Sequence, residues 1–112
     1  MSNRLPEKIE EFRKQSPAVW DAFAALASAC HEQGGPLDER TRRLVKLGLA
    51  MGSQHEGAVR SAARHALESG CGLEELRHAA ILGITTLGWP AAYAALRWIE
   101  DAAAEAGGAG RG

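Results

Sequence analysis

Ala79-Ala80-Ile81-Leu82-Gly83-Ile84-Thr85-Thr86-Leu87 is the stretch on which the fold class turns. It holds no charge over about two and a half helical turns, and no apolar–polar alternation of the kind a half-buried strand would show. It follows Leu73-Glu74-Glu75-Leu76-Arg77-His78 and stops at Gly88, so the spacing predicts one helix over 73–87. A helix that is apolar all round has to be covered all round. That is hard to arrange inside a single subunit of 112 residues. A homo-oligomer whose partner covers the second face is therefore expected, with a monomer built on one central helix as the alternative.

The composition agrees with an all-α fold. The chain holds 22 alanines against six aromatics, and Val and Ile are sparse. Alanine is the best helix former, and its small side chain lets helices approach closely. The length suits one domain spanning 1–112. Thirteen Lys and Arg stand against 14 Asp and Glu, a net charge of −1. That balance argues against a protein that neutralises nucleic-acid phosphates. No apolar run approaches the ~20 residues needed to cross a bilayer. The opening MSNRLPEKIEEF has no apolar core of a secretory signal, and two cysteines, Cys30 and Cys71, are too few for a disulfide-stapled secreted domain. The expectation is a cytoplasmic protein with no membrane and no nucleic-acid partner.

Punctuation divides the rest of the chain. A short helix is expected from Pro6 to Lys14, with Ile9 and Phe12 on one face. Ser16-Pro17 opens a second, which carries Val19, Phe23, Leu26 and Cys30 at helical spacing and runs to Glu32. Gly34-Gly35-Pro36 breaks it. Asp38 caps a third helix over 39–52, and a fourth runs over 54–69, with Gly70 as its C-terminal stop. After the helix over 73–87, Pro90 opens a sixth to Ala106, and GGAGRG is a flexible tail.

The core from 36 to 98 resembles the carboxymuconolactone decarboxylase family, which includes the alkylhydroperoxidase D-like proteins. The matching pieces are LDERTRRLVKLGLAMG, EGAVRSAARHALESG and GCGLEELRHAAILGITTLGWPAA, in that order. The resemblance implies a helical bundle that assembles as trimers or hexamers. The redox branch of the family carries C-x-x-C-x-x-x-H at the start of the fourth helix and a glutamate on the third. One thiol attacks as a thiolate, the second resolves the intermediate, and His and Glu move protons. Aligned on Ala66-Leu67-x-x-Gly70, the two cysteines fall at His55 and Ala58, the histidine at Ala62 and the glutamate at Arg43. The histidines of the lactone decarboxylase branch fall at Gly57 and Ala62. None of these functional residues is present.

His55 and Glu56 stand where the family keeps its active site, and imidazole and carboxylate suit acid–base work. Arg43 and Arg60 are candidates for gripping an anionic ligand, since a guanidinium meets a carboxylate as a fork. Trp89, in the Gly88-Trp89-Pro90 turn, either roofs a pocket or anchors a helix or subunit contact. The alternative for His55, Glu56 and the arginines is a first helical turn with solvated ion pairs. Cys71 is the better of two candidates for a reactive thiol, and Cys30 fits a core position. The four histidines form no compact cluster for zinc, so neither a metal nor another cofactor is expected.

Three functions are open on this reading. The first is a family protein whose dithiol site is lost and which binds a small anionic molecule. The second is a non-redox enzyme, decarboxylase- or lyase-like, that uses His55 and Glu56 on a small organic acid or lactone. The third is a peroxidase-like protein working through Cys71.

Overall fold

The computed structural model describes residues 6–111. Among them the chain is all-helical: α1 Glu7–Gln15, α2 Pro17–Glu32, α3 Glu39–Ser53, α4 Glu56–Glu68, α5 Leu73–Leu87 and α6 Trp89–Arg111. Six helices without a strand are what the sequence pattern predicts. Helix α6 starts one residue before the expected Pro90 and carries on through five residues of the tail. Gly112, the rest of that tail, and the first five residues of MSNRLPEKIEEF lie outside the described residues.

The helices fall into two compact units, one reaching Leu37 and the other starting at Asp38. In the first, Pro17 occupies the opening turn of α2, where its missing N–H costs no hydrogen bond. Trp20 and Phe23 meet with ring centroids 5.8 Å apart. Neither α1 nor α2 buries a residue. The stripe Val19, Phe23 and Leu26 is exposed, although its spacing is that of a packing face.

The second unit holds the core. Leu47 of α3, Val59 of α4, Leu76 of α5 and Ile99 of α6 are wholly buried, each contributing about 1.5–3 kcal/mol of transfer free energy. Ala63, Ala66, Ala80, Ala95 and Ala102 fill the space between them, so the four helices pack at short distance.

Local chemistry sets the joints. Asp38 Oδ1 accepts the Thr41 N–H at 2.8 Å and caps α3, and hydrogen bonding to Thr41, its side chain first and then its N–H, holds the Asp38 carboxyl below the usual range. Gln54, in the left-handed region at φ 57°, ends α3. The chain restarts after only Gln54 and His55, so His55 stands outside α4 as its N-cap rather than inside the helix. Helix α4 closes with Gly70 at φ +95°, the Gly70 N–H donating to Leu67 O and the Cys71 N–H to Ala66 O. This is a Schellman ending, which favours glycine at that position. A single Gly88, also at φ +95°, turns α5 into α6.

Helix α5 departs from the expectation of complete burial. Leu76, Ala80 and Gly83 are buried, while Ile81 and Leu82 are 55% and 61% exposed. Three neighbouring helices cover one side of an apolar helix, and the side bearing Ile81 and Leu82 is left open within the chain.

Candidate functional site

The start of α4 is built from local contacts. The ring of His55 folds back over the helix end, and its Nδ1 accepts the Ala58 N–H at 3.2 Å. Gly57 leaves room for this, since a Cβ there would lie 3.3 Å from His55 Cε1. His55 thus satisfies one of the unpaired N–H groups of the first turn. Glu56 lies one residue on and accepts from Arg60 Nε at 2.8 Å. Arg60 also reaches Asp101 at 3.5 Å and Glu105 at 3.4 Å on α6. These carboxylates, Glu56 foremost, raise the Arg60 pKa above its ordinary value. Arg60 therefore ties α4 to α6 with three carboxylates already around it.

Arg43 belongs to a different place. Its Nε donates to Glu39 Oε2 at 2.9 Å, and the same oxygen accepts from Ser69 Oγ at 2.9 Å. Ser69 caps the far end of α4, about 20 Å from His55 at 1.5 Å per residue. The structure brings His55, Glu56 and Arg60 together at one end of α4 and sets Arg43 at the other. Trp89 is on neither site: it stacks on Tyr93 with centroids 5.3 Å apart, and it is mostly exposed at the head of α6.

Both cysteines are free thiols. Cys71 is buried, with Sγ 3.8 Å from the Arg40 carbonyl oxygen. Cys30 is exposed on α2. Among the described residues, no group of three or more His, Cys, Asp or Glu is placed to hold a metal ion. No described helix is long and apolar enough to cross a membrane.

A cleft of about 500 Å³ opens elsewhere, between α3 and α5. Leu44, Gly48 and Met51 form one wall, and Ala79, Leu82 and Gly83 the other. The polar groups along it are Glu75, His78 and Thr86. Such a volume suits a small organic molecule, and apolar walls with a few polar groups are the common make-up of ligand sites. Glu75 is anchored: it accepts the Gly72 N–H at 2.8 Å and pairs with Arg40. Those contacts, the Gly72 N–H first, keep its carboxyl below the ordinary range and so ionised. His78, one turn further on, is exposed, and an imidazole can donate or accept a hydrogen bond.

None of His55, Glu56, Arg43, Arg60 and Trp89 lines this cleft. Sequence reasoning passed over Glu75 and His78 because each is unremarkable alone. The signal present in the sequence was their spacing: positions 75, 78, 82 and 86 recur on one face of α5. Only packing against α3 makes that face the wall of a cavity.

Comparison with known proteins agrees with the helical architecture. The carboxymuconolactone decarboxylase family model matches residues 17–101. The carboxymuconolactone decarboxylase family protein of Legionella pneumophila, in its apo crystal structure, superposes with a TM-score of 0.71 at 27% identity, over 84% of this chain and 86% of that one. The crystal structure of a candidate carboxymuconolactone decarboxylase from Burkholderia xenovorans LB400 superposes with a TM-score of 0.67 at 22% identity, over 93% and 84%. That second likeness is one of fold. No curated protein matches the chain.

Proposed function

The chain belongs to the carboxymuconolactone decarboxylase family, and from that premise we propose that it binds a small anionic molecule without thiol chemistry, using the cleft between α3 and α5. The observation that carries this reading is the cleft itself, about 500 Å³ with apolar walls. An apolar body fits between Leu44, Met51 and Leu82, and an anionic end meets His78 at the rim. Arg40 is paired with the ionised Glu75, so that wall carries no net charge and the His78 imidazole is the group left to donate to an anion.

The start of α4 supports the loss of peroxidase chemistry. His55 and Ala58 stand at the positions of the family's two cysteines, and the thiol of Cys71 is buried against a carbonyl. His55 Nδ1 and Glu56 Oε2 already accept from Ala58 N–H and Arg60, so acid–base catalysis there would have to work through His55 Nε2 and the other Glu56 oxygen. Self-association into the trimer or hexamer that the family resemblance implies would cover Ile81, Trp89 and Tyr93, all exposed on the α5–α6 side.

Gly48 offers a clean test. A Cβ added there meets nothing within 4 Å, so Gly48→Leu has open space at its first carbon from which to grow a side chain into the cleft. A panel of small carboxylic acids and lactones is screened by thermal shift, since ligand binding stabilises the folded state by mass action. The wild type is expected to gain stability with at least one of them, and Gly48→Leu to lose that gain while keeping its own Tm. A ligand that stabilises both proteins alike would remove the cleft from the reading. Hydroperoxide turnover with a dithiol donor that disappears in Cys71→Ser would replace it with the thiol reading.

A further inference from the structure

The α3–α5 cleft has a polar end and an apolar end. Arg40 of α3 pairs with Glu75 of α5. About two turns further along α5, a Cβ at Gly83 would stand 3.0 Å from Met51 Cε. The two helices therefore run in the same direction past the cleft, with Glu75 and His78 at one end and Met51 against Gly83 at the other. From His78 to Gly83 the wall runs about 7.5 Å at 1.5 Å per residue, the reach of a short branched or aromatic side group. At the polar end the two oxygens of Glu75 differ. Oε1 accepts both the Gly72 N–H at 2.8 Å and the Arg40 guanidinium. Oε2 holds no partner among the described residues. The Gly72 N–H first, then Arg40, keep the carboxyl ionised, so Oε2 accepts and does not donate. His78 stands one turn on, about 5–6 Å away between Cβ atoms, and its ring holds no partner among the described residues.

An open acceptor thus stands beside the group that donates to an anion. A bare carboxylate on His78 faces Glu75 as a like charge with nothing between them. A hydroxyl on the carbon next to that carboxylate fills the gap, because the two groups then span one helical turn through hydrogen bonds of about 2.8 Å on each side. Glu75 and Arg40 together are neutral, so a neutral donor fits there, whereas an ammonium brings a second positive charge beside Arg40. We propose that the cleft selects α-hydroxy acids with a short apolar side group, the carboxylate accepting from His78 and the hydroxyl donating to Glu75 Oε2. This rests on the cleft being the ligand site, and names the class of ligand it takes. Thr86, the other polar side chain of this wall, lies about 12 Å beyond His78 along α5, out of reach of a group beside the carboxylate. A ligand without the hydroxyl covers Oε2 and leaves it unpaired, which is how a site built for a hydroxyl rejects the analogue that lacks one.

The test is isothermal titration calorimetry of the full chain with matched sets of acids: isocaproic and hydrocinnamic acid, their α-hydroxy forms (α-hydroxyisocaproic and phenyllactic acid) and their α-amino forms (leucine and phenylalanine). In the wild type each hydroxy acid is expected to bind about tenfold tighter than the acid without the hydroxyl, the worth of one hydrogen bond to a charged acceptor, and tighter than the amino acid. Glu75→Gln keeps an oxygen for the Gly72 N–H and removes the ionised acceptor, so the preference is expected to shrink to about threefold or less, with the weakening confined to the hydroxy acids. His78→Ala is expected to weaken both acids of a pair alike and to leave their ratio unchanged. The wild-type ratio is read without any variant, so the inference stays falsifiable where Glu75→Gln does not fold. Equal binding of an acid and its hydroxy form, a preference undiminished in Glu75→Gln, or tighter binding of the amino acid overturns the inference, and leaves the cleft as the ligand site where Gly48→Leu abolishes the binding. Acids that bind Gly48→Leu as they bind the wild type, or a set of which none binds, overturn the cleft reading and this inference with it.

Discussion

His55 is the position at which a structural and a catalytic role make opposite predictions. Its Nδ1 accepts the Ala58 N–H at 3.2 Å at the start of α4. His55→Ala removes the acceptor and leaves that N–H to water. Loss of an N-cap side chain costs about 1 kcal/mol, within a range of about 0.5–2. With an unfolding entropy of about 2.1 cal/mol/K per residue, a chain of this length loses roughly 4 °C in Tm for each kcal/mol. His55→Asn keeps a short side-chain oxygen at the cap, and asparagine is among the best N-cap residues. The expected order by calorimetry is wild type and His55→Asn together, with His55→Ala about 4 °C lower. Equal Tm values for His55→Ala and the wild type, or an asparagine variant as unstable as the alanine one, would refute the capping account. The asparagine variant also isolates chemistry: if any ligand or substrate of the wild type is lost in it at unchanged Tm, the ring does more than cap.

Three further outcomes follow from the core, the α4 ending and the half-buried His65. Ile99→Ala, at a wholly buried site, should cost about 3–4 kcal/mol through lost transfer energy and a residual cavity, read by urea unfolding. A cost below 1 kcal/mol would mean that α6 collapses onto the gap. Gly70 sits at φ +95° with open space where a Cβ would stand, so Gly70→Ala should cost about 1–2 kcal/mol from backbone strain rather than clash. An unchanged urea midpoint would show that the turn relaxes. The folded state holds the His65 ring below its ordinary value, with burial as the main cause and Arg43, Arg64 and Lys46 adding to it. Above about pH 6.5 folded and unfolded chains bind alike at this residue; below it the unfolded chain takes the proton first, so stability falls with falling pH. His65→Gln should flatten that part of the pH profile, and a variant with the wild-type slope would remove His65 as its source.

What the chain determined without its tertiary structure is the set of helices and their ends. Asp38, Ser16-Pro17, Gly70 and Gly88 act within a turn or two of their own position, so their effect is written in local sequence. The order of the core helices and the replaced cysteine positions could be read in the same way. Two helix boundaries shifted where tertiary and local geometry added information: Gln54 adopts a left-handed conformation that pushes His55 out to the cap, and α6 keeps its hydrogen-bonded ladder past Ala106. The functional side chains were a different matter. Arg43 and Arg60 look equivalent as arginines on neighbouring helices, yet one is held by Glu39 near the end of α4 and the other by Glu56 and α6 at its start. The α3–α5 cleft joins Gly48 to Gly83 and Leu44 to His78, pairs more than 30 residues apart. Capping and periodicity are short-range and survive in a one-dimensional string. Convergence of side chains from separate helices depends on how those helices pack, and packing alone decided which charges pair, which apolar faces stay open and where a cavity forms.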